Sequence, residues 1–129
     1  MLKITIHADC GDAPKKQLLR DMNIAFARSD VEAILDFFTD DVHWRIVGET
    51  ELRGKAAMRE ALEAMKGVVT RELIIHSIIT GGREGAVHGV IISEDGAPVA
   101  FCDVVQFDSA GGNLIGMMTS FAIELNTER

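Results

Sequence analysis

Basic residues are in short supply. The chain carries 13 lysines and arginines against 20 aspartates and glutamates, a net charge of −7. Nucleic acids and anionic membranes both require clustered cations, so neither is an expected partner. No apolar run reaches the roughly 18 residues that would cross a bilayer as a helix. Met1 to His7 alternates apolar and polar residues and lacks the long apolar core of a signal peptide. The two cysteines, Cys10 and Cys102, do not make a disulfide framework. The expectation is a pair of reduced thiols in a cytoplasmic protein. There is no His-x-His or Cys-x-x-Cys pattern, so no metal is expected, and no organic cofactor is implied. Gly111-Gly112 is not followed by Lys-Ser or Lys-Thr, which makes it loop geometry and not a phosphate cradle.

What is present is an ordinary globular composition, 47% hydrophobic and 26% charged, over 129 residues. That length suits one domain, 1–129, with one core. Leu2, Ile4 and Ile6 alternate with polar residues, as in a one-sided edge strand. Pro14 suits the first position of a helix whose apolar stripe is Leu18, Leu19, Met22 and Phe26. Ser29 to Glu32 has the spacing of a capping box, with Ser29 as the cap. It predicts a second helix presenting Val31, Ile34, Phe37 and Phe38, stopped by Thr39-Asp40-Asp41. Val42, Trp44 and Ile46 then alternate with His43 and Arg45 as a strand. Gly48 to Arg53 reads as a turn and a short extended piece. Gly54 opens a third helix with Met58, Ala61, Leu62 and Met65 on one face and Gly67 as its C-terminal cap.

Four strands are expected after that, Arg71–Thr80, Glu84–Ser93, Pro98–Phe107 and Asn113–Leu125, joined by glycine-bearing turns. Helices followed by an antiparallel meander predict an α+β fold. Two of these strands are apolar on both faces. The helices of so short a chain can cover one side of the sheet, so the other side predicts a homodimer.

The most informative stretch is Val99 to Phe107. At the strand period of two, Val99, Phe101, Asp103, Val105 and Phe107 share one face. A carboxylate in an apolar row must be hydrogen-bonded, paired or protonated. Two readings of Asp103 stand. It is an acid/base or substrate-orienting group of a pocket, or a structural carboxylate held by a neighbouring donor.

The order of these features resembles the SnoaL-like, nuclear-transport-factor-2-like superfamily. The residues that carry the resemblance are Ser-Asp-Val before helix two, Thr39 to Trp44 after it, Arg53 to Met58 opening helix three, and Cys102 to Phe107 in the meander. The resemblance spans about Pro14 to Leu125. It implies a curved antiparallel sheet wrapped by three N-terminal helices into a cone with an internal pocket, in a family that usually dimerises through the sheet. Members include ketosteroid isomerases, polyketide cyclases, dehydratases, epoxide hydrolases and non-catalytic binding proteins, so the fold does not choose the function. Asp103 matches the oxyanion-binding aspartate of the ketosteroid isomerases. Their tyrosine falls at Met22, in a chain without tyrosine, and their general base falls near Ile46 or Arg45. Ketosteroid isomerisation is therefore not expected.

The resulting expectation is a protein that binds a small, mostly apolar organic molecule. If it is an enzyme, the chemistry is acid/base isomerisation, cyclisation or dehydration by Asp103, with His88 as its partner among His43, His76 and His88. Trp44, Met22, Phe26, Met58, Leu62, Phe101, Met117, Thr119 and Phe121 are the candidate pocket lining. For each of these, plain core packing is the competing reading. The alternative function is a non-catalytic carrier or a dimeric interaction module. Turn and cap chemistry accounts for His7, Asp9, Cys10 and Asp12.

Overall fold

A computed structural model describes residues 1–109 and 111–125. Among them, β1 (Lys3–Ile6), α1 (Pro14–Ala27), α2 (Val31–Leu35), β2 (Phe38–Ile46), β3 (Thr50–Arg53), α3 (Lys55–Ala64), β4 (Thr70–Gly81), β5 (Glu84–Ser93), β6 (Val99–Phe107) and β7 (Ile115–Glu124) follow in order. The strands form one sheet in the order β1-β4-β5-β6-β7-β2-β3. This is the α+β architecture expected from the sequence, with the three helices interleaved with β1, β2 and β3 and the long meander after them.

The meander β4-β5-β6-β7 is antiparallel throughout. Two pairings are parallel instead. The edge strand β1 lies along β4, and β2 lies along β7. Both parallel pairs join strands far apart in sequence, where hairpin signals give no guidance. Bulges in β4 between Ile75 and Ser77, and in the β6–β7 ladder between Gln106 and Phe107, bend the sheet. The β4 bulge brings the Ile74 carbonyl so close that a Cβ on Gly89 would stand 1.9 Å from its oxygen. Only glycine fits there.

The local readings need three corrections. Helix α2 ends at Leu35, not after Phe38. Phe38 instead starts β2 and pairs with Ile115, while the Ile115 amide donates to the Phe37 carbonyl at 2.9 Å. Sheet pairing overrides the helical spacing of the two phenylalanines. Ser29 does not cap. It sits at φ +54° in the turn, and the Asp30 carboxylate accepts the Ala33 amide at 3.2 Å. Glu32, freed from a capping box, forms an ion pair with Arg59 that ties α2 to α3. Finally, α3 closes at Met65, before Gly67.

The helices lie on the concave face. Leu19 and Met22 of α1, Ile34 and Leu35 of α2, and Met58 and Leu62 of α3 join Leu73, Ile75, Val87, Val105 and Met118 of the sheet in one buried core. Among the described residues, no helix covers the convex face. Ile79, Val104, Phe121 and Ile123 are exposed there, Ile123 by 69%.

Candidate functional site

The β6 alternation holds in three dimensions. Val105 and Phe107 are buried with the core, whereas Val104 and Gln106 are exposed. Asp103 belongs to the inner row and lines a cavity of about 370 Å³ at the open end of the core. Its walls are apolar, with Phe26 from α1, Trp44 and Ile46 from β2, Phe101 from β6 and Met118 from β7. The Phe26 and Trp44 rings meet edge to face at 5.7 Å.

Asp103 is not alone. Ser120 stands opposite it in the β6–β7 ladder. Its hydroxyl donates to Asp103 Oδ1 at 2.7 Å, and Trp44 Nε1 donates to Ser120 Oγ at 2.9 Å. An indole N–H can only donate, which fixes the direction of the whole relay. Trp44 gives to Ser120, and Ser120 gives to Oδ1. Oδ1 is therefore an acceptor, and a proton taken up by Asp103 goes to Oδ2, which has no hydrogen-bond partner among the described residues. Burial pushes the carboxyl up from its ordinary 3.8 to about 6, against the pull of the Ser120 hydrogen bond. A carboxyl so tuned exchanges a proton near neutrality.

Of the residues expected to line a pocket, Trp44, Phe26 and Phe101 border this cavity, and Phe121 touches its rim while 44% exposed. Met22 and Met58 lie wholly inside the core. Leu62 borders a smaller hollow of about 170 Å³, which shares Phe26, Met65 and Ile91 with the main one. Met117 and Thr119 stand in the outer row of β7. Thr119 lines an open surface groove beside Arg45 and Glu51. The inner positions belong to Met118, Ser120 and Ala122. The phase of β7 turns at its bulge, where Ile115 pairs with Phe107 but Met117 pairs with Gln106. No polar signal in Ser120 announces this, and only the strand register finds it.

The histidines lie elsewhere. His88 pairs with Cys102 in the ladder, on the face opposite Asp103, and its Nε2 is 2.6 Å from Ser77 Oγ. His7, directly after β1, forms a row with His76 of β4 and His88 of β5, with neighbouring ring centroids 5.8 Å apart. His43 pairs with Glu51 at 2.7 Å. His88 thus does not meet Asp103. Burial and the nearby Asp103 charge push the Cys102 thiol up, which keeps it protonated and poorly nucleophilic. Among the described residues, no group of three or more His, Cys, Asp and Glu side chains is placed to hold a metal.

The profile of the SnoaL-like domain matches residues 19–115, three quarters of the chain. The chain belongs to the SnoaL-like family. Solved structures agree with the SnoaL-like fold. A nuclear-transport-factor-2-like protein of unknown function from Burkholderia xenovorans is 16% identical, covers 94% of this chain and 91% of its own, and has a TM-score of 0.75. A provisional ketosteroid isomerase from Kribbella flavida is 14% identical over 89% of this chain and 82% of its own, with a TM-score of 0.73. An LEH-like epoxide hydrolase from M. tuberculosis is 19% identical over 84% of this chain and 82% of its own, with a TM-score of 0.69. No curated protein matches the sequence. At these identities the neighbours define the SnoaL-like fold and leave the chemistry to the site itself. No helix among the described residues is long and apolar enough to cross a membrane.

Proposed function

We propose that this SnoaL-like domain binds a small, mostly apolar organic molecule in the Asp103 cavity and acts on it by acid/base catalysis of the isomerase, cyclase or dehydratase type. The observation that carries this reading is the Trp44–Ser120–Asp103 relay on the wall of an apolar hollow, which leaves Oδ2 of the carboxyl without a hydrogen-bond partner among the described residues. Oδ2 takes a proton from a carbon acid, or gives one to a developing enolate or leaving oxygen. Ser120 and Trp44 hold the carboxyl in place while its charge changes. His88 has no part in this step. The whole chain acts as one cytoplasmic domain, and two copies pair through the convex face, where Phe121 and Ile123 are exposed.

Carbon-detected NMR of the Asp103 carboxyl tests the reading. The expected midpoint is near 6, with Asp103→Asn folding normally. A midpoint below the ordinary 3.8, together with a loss of about 1–3 kcal/mol in Asp103→Asn, identifies a structural carboxylate and overturns the proposal.

A further inference from the structure

The polar groups of the cavity are uneven in kind. Its two ionisable walls are both acids, Asp103 and Glu49, and among the described residues no Lys, Arg or His lines it. The donors nearest Asp103 are already engaged, since the Trp44 N–H goes to Ser120 and the Ser120 O–H goes to Asp103. Asn23, 5% exposed, donates from its amide nitrogen to the Leu19 carbonyl at 2.9 Å. That bond assigns the nitrogen of the amide and leaves Asn23 with Oδ1 as an acceptor and one remaining N–H as a donor. The free hydrogen-bonding capacity is thus dominated by acceptors: Asp103 Oδ2, the Glu49 carboxylate and Asn23 Oδ1. Around them stand the aromatic rings of Trp44, Phe26 and Phe101.

A ligand carrying a carboxylate or phosphate would meet the buried Asp103 carboxyl and the exposed Glu49 carboxylate with no cation among the lining residues. A ligand carrying a protonated nitrogen supplies both the missing donors and the missing positive charge, and aromatic faces attract it further. From this, and resting on the ligand pocket argued above, we infer that the molecule taken up is an apolar amine, bound with its ammonium among Asp103, Glu49 and the Trp44 ring.

Three probes of one skeleton test this: phenylpropylamine, phenylpropanol and phenylpropanoate, titrated into the whole chain with the Trp44 indole N–H as the NMR reporter. The amine is expected to bind about tenfold more tightly than the alcohol at pH 8, and the carboxylate more weakly than either. The amine stays charged between pH 8 and pH 5, whereas Asp103 takes up a proton. Its advantage should therefore shrink on acidification, and also in Asp103→Asn and Glu49→Gln. An alcohol or carboxylate that binds as well as the amine overturns the inference and leaves the pocket standing. So does an amine advantage that survives acidification and both variants. If none of the three moves the indole signal, the inference and the pocket reading fall together.

Discussion

Cys102 and Asp103 are covalent neighbours on β6, yet they serve two different surfaces. Asp103 lines a hollow of about 370 Å³ walled by rings, and a hydrogen-bond relay holds its carboxyl. Cys102 faces a shallow groove with His76, His88, Phe121 and Ile123. The concave side has one raised carboxyl and few competing charges. The convex side has more of the conventional catalytic residue types, three histidines and a thiol, but the histidines stand exposed, the thiol is half-buried, and among the described residues no hydrogen-bond relay links them. Residue type alone does not mark out an enclosed site. Enclosure and a fixed proton direction mark the concave side, and both follow from the strand phase.

The contrast can be broken most severely at Gly89, where the β4 bulge sets the relation of the two faces. Gly89→Ala drives a methyl group into the Ile74 carbonyl. It should cost about 3 kcal/mol or more in urea unfolding. If it is tolerated, β4 has another way to bend.

A change of pH separates the faces next. The folded Asp103 pKa of about 6 lies above its ordinary 3.8, so between these values the folded state holds more protons than the unfolded state. This contribution to stability is fully present below pH 3.8, declines as pH rises, and is gone above about 6. The loss is at most about 3 kcal/mol. Unfolding curves from pH 4 to pH 8 should show the decline in the wild type, whereas Asp103→Asn should lack it and gain relative stability at pH 8. Parallel curves for the two proteins would mean that Asp103 is not held in a dry site.

Cutting the relay is a milder intervention. Ser120→Ala removes the acceptor of the Trp44 N–H and the donor to Oδ1. It should cost about 1–2 kcal/mol and raise the Asp103 titration midpoint further, read by the same NMR experiment. An unchanged midpoint would remove Ser120 from the site. The gentlest change lies on the other face. Ile123→Glu puts a charge on the exposed convex patch and should alter monomer stability by less than about 0.5 kcal/mol. It should abolish the proposed pairing through the convex face in sedimentation while leaving the Asp103 midpoint in place. A shift in that midpoint would show that the two faces are coupled.

Much of the fold was legible because it rests on local periodicity. The α1 stripe, the meander and the β6 alternation follow from side-chain spacing alone. Asp103 stood out for the same reason, as a charge in a greasy row. The pocket partners were harder to read. The row Met117, Thr119, Phe121 is bulkier than Met118, Ser120, Ala122, and the rule that bulky residues point inward selects the wrong phase when the outer face is apolar as well. The bulge in the β6–β7 ladder turns that phase. His88 was misplaced for a related reason. It lies on a strand beside the right one, and nothing in its spacing says which face it takes.

By itself the sequence determined that helices precede a two-sided apolar sheet and that one carboxylate sits in an apolar row, since each depends on neighbours within a few residues. The tertiary structure decided what that carboxylate meets. Ser120 and Trp44 reach Asp103 through β7 and β2, strands brought together by long-range pairing and set in register by bulges. Such contacts span 17 and 76 residues of chain, a range over which no local pattern carries information.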